Sequence, residues 1–210
     1  MDIDFARVLI GFTVLLLSLT VHEAAHALSA DMLGDPTARR LGRVSLNPAV
    51  HIDPIGTLLF PLLSIFSPVP LIGWAKPVPV NPSNLHPNWQ QKFMAIAAAG
   101  PGSNVVLALL AAVALRLIGF TGGSNATTQQ LAVFFQFMIG TNVALAVFNM
   151  LPVPPLDGGN VLMGLLRGRA AEIYATLRPY GFVILYALLL SGFLWEIVGP
   201  IEEAILGTLL

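Results

Sequence analysis

The sequence contains no cysteine, and this absence limits the sites that the chain can build. Disulfide bonds, thiolate metal sites and cysteine nucleophiles are all excluded. Any metal site must therefore be made from His, Asp and Glu side chains, and the chain has only four histidines.

Charged residues are also scarce. They make up 10% of the 210 residues, while hydrophobic residues make up 56%; a soluble globular domain carries about 25% charged residues. Because this small number of charges cannot cover a water-facing surface, we expect the lipid bilayer to be the solvent. The net charge of -1 provides no basic field for nucleic acid. The length allows one domain, which we place at residues 1–210.

Five apolar stretches predict the membrane-embedded elements. They cover roughly residues 5–30, 55–73, 93–119, 131–151 and 180–199. About 20 apolar residues span a bilayer, and four of the stretches fit that length as helices. The stretch 55–73 differs because it contains Pro61, Pro68 and Pro70. Proline removes a backbone donor and breaks helices, so this stretch is predicted to be a broken or re-entrant element shielded by its neighbours.

The expected fold is therefore an all-α polytopic membrane protein with about four to six transmembrane helices. A small β or re-entrant element is expected between the first and second full spans. The predicted segments are a first helix at 5–33, an extended or re-entrant region at 34–92, and helices at 93–119, 131–151 and 180–199. Short strands are expected near 39–46 and 76–80, where apolar and polar residues partly alternate.

The basic residues indicate the orientation in the membrane. Most of them lie in two predicted loop regions: Arg39, Arg40, Arg43, Lys76, Lys92, Arg167, Arg169 and Arg178. If 55–73 is re-entrant, all of these fall on one side, which the positive-inside rule makes cytoplasmic. We expect a multi-pass protein of the cell membrane whose cytoplasmic face is built from 31–92 and 152–179.

The first apolar helix carries the run His22-Glu23-Ala24-Ala25-His26. Residues four apart lie on one face of a helix, so both imidazoles can bind one metal ion. Glu23 follows His22 directly and can act as a general base instead of a ligand. Three ionisable side chains are costly at membrane depth and usually mark function there. The alternative is that these side chains face headgroups or bond across helices without a metal.

A catalytic zinc site needs a third protein ligand besides a position left for water. Among the eleven acidic residues, Asp157 stands out because it follows the proline-rich run 151–156 and precedes Gly158-Gly159. Prolines hold such a segment extended and glycines permit close backbone approach, so one carboxylate could be carried against another helix. An ordinary turn aspartate before two glycines explains the same residues equally well.

Together, HEAAH and the run NMLPVPPLDGG at 149–159 resemble the site-2 protease family of intramembrane zinc metalloproteases, peptidase family M50. That family pairs HExxH on one transmembrane helix with N-x-x-P-x-P-x-x-D-G about one hundred residues later. Further stretches resemble its compact bacterial branch: LNP at 46–48, HIDPIGT at 51–57, GWAKPVPVN at 73–81 and AGPGSN at 99–104. The resemblance covers roughly residues 15–165.

The resemblance implies one zinc ion held by His22, His26 and Asp157, with Glu23 as the catalytic base. Asn149 matches the asparagine that positions the substrate peptide or steadies the oxyanion. The implied reaction is hydrolysis of peptide bonds within or near transmembrane segments of other membrane proteins, close to the cytoplasmic side. The implied partners are transmembrane protein substrates and the lipid bilayer.

Two further polar residues are candidates for lining the site. His51 could line it, bind water or occupy the open zinc position, although an imidazole capping a loop turn is an equal alternative. Asn142 lies seven residues before Asn149, so the two share a helical face and Asn142 could help to line the site. Packing is the default for a buried asparagine in a membrane helix, because such residues normally bond across helices.

Two other functions are open from the residues alone. The chain could be a non-proteolytic zinc-binding scaffold or regulator, but an inactive relative would be expected to lack Glu23 or a ligand. It could also be a metal transporter, but carriers usually show polar residues along several helices, often with repeat symmetry. Here the candidate ligands cluster in two motifs.

Overall fold

The computed structural model describes residues 4–64, 73–120 and 125–210. Four helical segments in these ranges are long and apolar enough to cross a membrane: Phe5–Met32, Trp89–Phe120, Ala126–Asn149 and Gly168–Leu190. The predicted all-α polytopic fold is confirmed, and the chain is a multi-pass membrane protein.

The helices of the described residues are, in chain order, α1 Phe5–Met32, α2 Thr37–Arg40, α3 Phe60–Ser64, α4 Trp89–Phe120, α5 Ala126–Asn149, α6 Asp157–Leu165, α7 Gly168–Leu177, α8 Gly181–Leu190 and α9 Phe193–Leu209. A π-helical segment, Pro54–Leu59, leads directly into α3. Short 3₁₀ turns lie at Pro48–Val50, Pro82–Leu85 and Arg178–Tyr180.

The long helices α1, α4 and α5 form the centre of the molecule. Small side chains of α4 pack against α5 in one apolar cluster that contains Ala108, Ala111, Ala112, Ile139 and Val143. Small residues let membrane helices approach closely, which favours van der Waals packing where lipid offers no hydrophobic driving force. The outer face of α4 carries exposed apolar side chains: Val105, Val106, Leu109, Leu110, Val113 and Leu117. Such a face suits lipid contact.

The last apolar stretch is two helices where one was expected at 180–199. Helix α8 ends at Leu190, and α9 runs from Phe193 to Leu209. Gly192 between them has φ +80°, a left-handed conformation that glycine adopts without steric cost and that commonly ends a helix.

The strands expected near 39–46 and 76–80 do not form, since no strand occurs among the described residues. The segment at 73–80 is extended, but Pro77 and Pro79 lack the N–H groups that a strand ladder needs. The carbonyl oxygens of Lys76 and Pro77 instead accept hydrogen bonds from the Arg43 guanidinium. The β part of the predicted element is therefore wrong.

The re-entrant interpretation of 55–73 falls partly outside the described residues, because 65–72 are not among them. The described part begins with Asp53 as the N-cap of the segment Pro54–Leu59. The Asp53 carboxylate accepts hydrogen bonds from the backbone N–H groups of Ile55 at 3.0 Å and Gly56 at 2.7 Å. This cap satisfies the first free donors of the helical segment.

One buried carboxylate joins the loop after α1 to the turn before α4. Asp35 is fully buried and accepts hydrogen bonds from Thr37, from the backbone N–H of Asn81 at 2.6 Å and from the Asn84 amide at 2.7 Å. Burial raises the pKa of Asp35, but the hydrogen bonds from Thr37, Asn84 and Asn81 outweigh it and leave the pKa below its ordinary value. The connection holds the two helices that carry the candidate site in a fixed relation.

Candidate metal centre

Three of the side chains expected at the site converge on one point. The Nε2 atoms of His22 and His26 are 3.1 Å apart. The Asp157 Oδ2 atom lies 3.1 Å from the first and 3.2 Å from the second. This group could hold a metal ion, and it is the one such group of His, Asp and Glu found among the described residues.

Helix α1 supplies the two histidines through its own periodicity. His22 and His26 are one turn apart, and their rings lie nearly perpendicular, with centroids 4.7 Å apart and an interplanar angle of 85°. Both are buried, as is Glu23 between them in sequence. Perpendicular rings on adjacent turns let the two Nε2 atoms point at a common position.

A tight turn after α5 brings Asp157 to the histidines. Asp157 is the first residue of α6, and the turn before it contains a hydrogen bond from the Leu156 N–H to the Val153 carbonyl at 3.0 Å. Gly158 allows this turn to fold back on itself. A Cβ added there would lie 2.2 Å from the Met150 carbonyl oxygen, closer than any side chain tolerates. The glycine that follows the aspartate is therefore a steric requirement of the turn.

The other ring nitrogen of each histidine shows which atoms are free to bind a metal. His26 Nδ1 donates to the Ile96 carbonyl oxygen at 2.7 Å, because a carbonyl can only accept. His22 Nδ1 lies 2.6 Å from the Asn104 side-chain oxygen and donates to it. In the neutral imidazoles, both Nε2 atoms then present lone pairs to each other and to the Asp157 carboxylate. Three electron-pair donors facing one another at this distance suit a metal cation between them.

Zinc fits this donor set. It binds His nitrogen and carboxylate oxygen, and ligand distances of about 2.0–2.2 Å with tetrahedral angles place ligand atoms about 3.3 Å apart. The three atoms here are 3.1–3.2 Å apart. Zinc ligands that are histidines also commonly donate their second N–H to a carbonyl or carboxylate, as both do here. Three protein ligands leave a fourth position, which is the arrangement of a catalytic site.

Helix α4 lies directly against the histidines at Gly100. A Cβ added at Gly100 would lie 2.4 Å from His26 Nε2 and 2.6 Å from His22 Nε2. Any larger residue would occupy the space where the candidate ligand atoms meet. The next residue, Pro101, lies inside the helix and removes one N–H donor from its ladder.

A cavity of about 920 Å³ opens beside the three candidate ligands. His22, Glu23, His26, Asn149 and Asp157 all lie along its wall. Within the parts of the chain that the structure describes, no hydrogen bond or ion pair engages the Glu23 carboxylate. A buried carboxylate beside the candidate ligands is therefore free to exchange a proton with a molecule in the cavity.

The two asparagines of α5 have different surroundings. Asn149, the last residue of α5, lines the cavity, and its Nδ2 donates to the Leu145 carbonyl at 2.9 Å. Asn142 is fully buried, is not among the cavity-lining residues and bonds to Asn104 of α4 and Ser18 of α1. Asn142 thus contacts Asn104, the partner of His22, and does not line the cavity.

His51 belongs to a separate buried cluster with Arg43. Its Nε2 lies 2.8 Å from the Ser45 carbonyl and must donate to it, so its Nδ1 is an acceptor for the Arg43 guanidinium at 3.4 Å. The structure does not place His51 on the cavity wall or among the candidate ligands.

Arg43 anchors the extended segment that passes along the cavity. It is 5% exposed and donates to the Lys76 and Pro77 carbonyls. Burial lowers the pKa of the Arg43 guanidinium, and the negative charge of Glu23 acts in the opposite direction without restoring the ordinary value.

Sequence reasoning missed the contribution of α4. The sequence gives Gly100 and Asn104 no role beyond the run AGPGSN at 99–104, whereas both lie against the histidines. The available signal was their spacing: Gly100 and Asn104 are four residues apart and therefore share the face of α4 that meets α1. The Ile96 carbonyl on the preceding turn has no sequence signal, because every residue carries a carbonyl.

Comparisons with known proteins agree with this site. The sequence model described as "Peptidase family M50" matches residues 10–192. The chain is 35% identical over 198 residues to "Putative zinc metalloprotease YwhC" of Bacillus subtilis, covering 91% of this chain and 87% of the relative. It is 31% identical over 183 residues to "Putative zinc metalloprotease Rip2" of Mycolicibacterium smegmatis, covering 84% of this chain and 64% of the relative. No solved structure gives a significant match. The chain belongs to peptidase family M50.

Proposed function

We propose that the protein is an intramembrane zinc metalloprotease in which His22, His26 and Asp157 hold the zinc ion and Glu23 is the general base. The observation that carries this proposal is the free Glu23 carboxylate on the cavity wall beside three converging ligand atoms. Membership of a peptidase family and the names of the two relatives support the same chemistry.

The residues divide the reaction between them. Zinc, when bound, supplies a Lewis acid that polarises a carbonyl and makes water a stronger nucleophile. Glu23 takes the proton from the attacking water and returns it to the leaving amine nitrogen, which is the ordinary work of a carboxylate general base. Its position next to His22 in the helix holds it beside the ligands without making it one.

Asn149 is the proposed contact to the reacting peptide. One hydrogen of its Nδ2 is used by the Leu145 carbonyl at 2.9 Å, which fixes the orientation of the amide. The second hydrogen remains for the substrate carbonyl oxygen, where negative charge develops during attack. A fixed donor aimed at such an oxygen typically contributes about 2.7–4 kcal/mol to catalysis.

We propose apolar transmembrane segments of other membrane proteins as substrates. Most of the cavity wall is apolar and includes Leu15, Leu19, Phe148, Phe182, Leu185 and Val198. The extended segment at 73–80 also borders the cavity, where the N–H groups of Trp74 and Lys76 donate to the Gly56 and His51 carbonyls.

The active site is proposed to face the cytoplasm. The end of α1 that follows His26, the start of α4 and the end of α5 all belong to the same end of the bundle, because His26 contacts Ile96 and Asp157. Arg167 bonds to Gln90 at this end, at 3.3 Å. The basic residues of 31–92 and 152–179 therefore collect on the side of the candidate site, which the positive-inside rule makes cytoplasmic.

The test is cleavage of a model single-pass substrate in proteoliposomes, together with metal analysis of the same preparations. Wild type should contain about one zinc per chain and cleave the substrate, as expected for three ligands and one base. Glu23→Gln should keep the zinc and lose cleavage. The control Glu203→Gln changes an exposed residue of α9 and should behave as wild type.

Three results would count against the proposal. Cleavage that persists in Glu23→Gln would remove Glu23 as the base. Zinc content that is unchanged in His22→Ala, His26→Ala or Asp157→Ala would remove that residue as a ligand. A chain that binds zinc yet cleaves none of a panel of transmembrane segments would favour the scaffold function instead.

A further inference from the structure

We propose that a hydrogen-bonded chain running from α5 through α4 to α1 sets the tautomer of His22, so that Asn104 and Asn142 are positioning residues of the metal site. This inference rests on the proposed assignment of His22 as a ligand. It concerns the tautomer that the His22 imidazole adopts in the metal-free protein.

This series of hydrogen bonds is continuous and buried. His22 Nδ1 lies 2.6 Å from Asn104 Oδ1, and Asn104 Nδ2 lies 2.8 Å from Asn142 Oδ1. Asn142 Nδ2 then lies 2.8 Å from the Met138 carbonyl and 2.9 Å from Ser18 Oγ. Asn104, Asn142 and Ser18 are fully buried, so water cannot substitute for any of these partners.

The direction of every bond follows from one atom, the Met138 carbonyl oxygen. A carbonyl can only accept, so the nitrogen of the Asn142 amide must face it. The oxygen of Asn142 therefore faces Asn104 and must accept from the nitrogen of that amide. This turns the oxygen of Asn104 toward His22, whose Nδ1 must then carry the proton.

The consequence lies at the opposite edge of the ring. A neutral imidazole with its proton on Nδ1 has a lone pair on Nε2, the atom that faces His26 and Asp157. The other tautomer would point an N–H at the position of the cation and would have to rearrange before binding. Polar partners behind a ligating histidine typically change metal affinity by about 10–100-fold.

His26 is prepared in a simpler way, because its Nδ1 donates directly to the Ile96 carbonyl at 2.7 Å. The two histidines thus reach the same tautomer by different routes, one through a backbone atom and one through two side chains. Only the second route can be cut by single side-chain substitutions. If Asn104 and Asn142 served packing alone, cutting it would change stability but not the protonation of the ring.

The decisive variants act at position 104. Asn104→Leu removes the acceptor of the His22 proton, while Asn104→Asp keeps an oxygen there and should retain the tautomer. The matched control is Thr20→Val on α1, which removes a buried hydroxyl that donates to Leu16 at 2.7 Å within its own helix. It lies two residues from His22 and outside the chain of bonds.

The first readout is ¹⁵N NMR of the zinc-free protein at about two pH units above the ordinary imidazole pKa of about 6.5. The His22 signals are assigned by comparison with His22→Gln. We expect a proton on Nδ1 in wild type, Asn104→Asp and Thr20→Val, and a mixture of tautomers in Asn104→Leu. A wild-type pattern in a folded Asn104→Leu protein would overturn the proposal.

The second readout is zinc affinity by competition with a chelator. Asn104→Leu should bind zinc about 10–100-fold more weakly than wild type, and Asn104→Asp and Thr20→Val should remain within about threefold. Equal losses in Asn104→Leu and Thr20→Val would overturn the positioning role. If Asn104→Leu does not fold, Asn142→Leu cuts the same chain one step further away and is judged by the same criteria.

Failure of the ligand assignment gives a different pattern. If His22→Gln binds zinc as tightly as wild type, His22 is not a ligand and the proposed site is wrong. The NMR measurement of the His22 tautomer in the zinc-free protein still shows, independently, whether the series of hydrogen bonds controls the ring.

Discussion

Gly100→Ala is the substitution that most directly tests how α4 meets the histidines. The added Cβ would lie 2.4 Å from His26 Nε2, about 1 Å closer than the 3.4 Å at which ordinary contacts begin, and 2.6 Å from His22 Nε2. Relief requires the rings to rotate or the helices to separate by a comparable distance. Metal ligands tolerate only about 0.2 Å of displacement, so we expect zinc affinity to fall at least about 100-fold, or about 2.8 kcal/mol.

Gly102→Ala is the matched control on the same helix. Nothing lies within 4 Å of a Cβ added at Gly102. Alanine is favoured over glycine in a helix interior by about 1 kcal/mol, so this variant should bind zinc normally and unfold at an equal or higher temperature. The same gain in helix propensity applies at Gly100. A difference in zinc affinity between the two variants therefore reports on the metal centre and not on the stability of the helix.

The assay is zinc affinity by chelator competition on both purified variants, with cleavage of the model substrate and thermal unfolding measured in parallel. We expect Gly100→Ala to be folded, poor in zinc and inactive. Zinc affinity and cleavage equal to those of Gly102→Ala would show that α4 does not lie against the candidate ligands, and the geometry of the site would have to be rebuilt.

Four further outcomes are expected. Removal of zinc with a chelator should stop cleavage by the wild type, and added zinc should restore it; activity that survives complete removal would exclude a zinc enzyme. Arg43→Lys loses the planar fork that holds two carbonyls of the segment 73–80, so cleavage should fall about tenfold while zinc content stays unchanged; equal activity would remove Arg43 as the anchor of that segment. The pKa of Asp35 is lowered in the folded state, so its stabilising contribution is full above its unfolded pKa of about 4 and is lost as pH falls through the folded pKa. The unfolding temperatures of wild type and Asp35→Asn should therefore differ by a constant amount from about pH 8 to about pH 5 and converge below about pH 4; a difference that shrinks between pH 8 and pH 5 would contradict this. Because the chain has no cysteine, Val80→Cys and Asn125→Cys can each be labelled singly, and an impermeant reagent should reach them from opposite faces; labelling of both from one side would contradict the topology.

The positions that sequence predicted well are those fixed by local spacing. His22 and His26 share a helix face because they are four residues apart, and no other element is needed for that. Asp157 could be proposed as a ligand by elimination but not distinguished from a turn residue, because its approach to α1 depends on packing between distant segments. The resemblance supplied what spacing could not, and the structure brings all three side chains together.

The predictions that were wrong or left open depended on partners that a local pattern does not contain. Partial alternation at 76–80 favoured a strand, but strand formation requires a neighbour and free N–H groups, and Pro77 and Pro79 remove two of them. His51 was left open between the site and a loop turn, and its actual partners, Arg43 and the Ser45 carbonyl, follow from the path of the loop. The break at Gly192 required a left-handed conformation that glycine permits but does not demand.

The contacts between α1 and α4 show that the metal centre depends on the register of two helices. His22 meets Asn104 while His26 meets Ile96, so the helices are antiparallel and pair turn by turn, with Gly100 between the two contacts. A slip of one turn, about 5.4 Å, would set a larger side chain against the Nε2 atoms and would separate His22 Nδ1 from Asn104 and His26 Nδ1 from the Ile96 carbonyl. Buried N–H groups without acceptors are costly in a bilayer, so the polar contacts that prepare the histidines also select the register in which the helices pack.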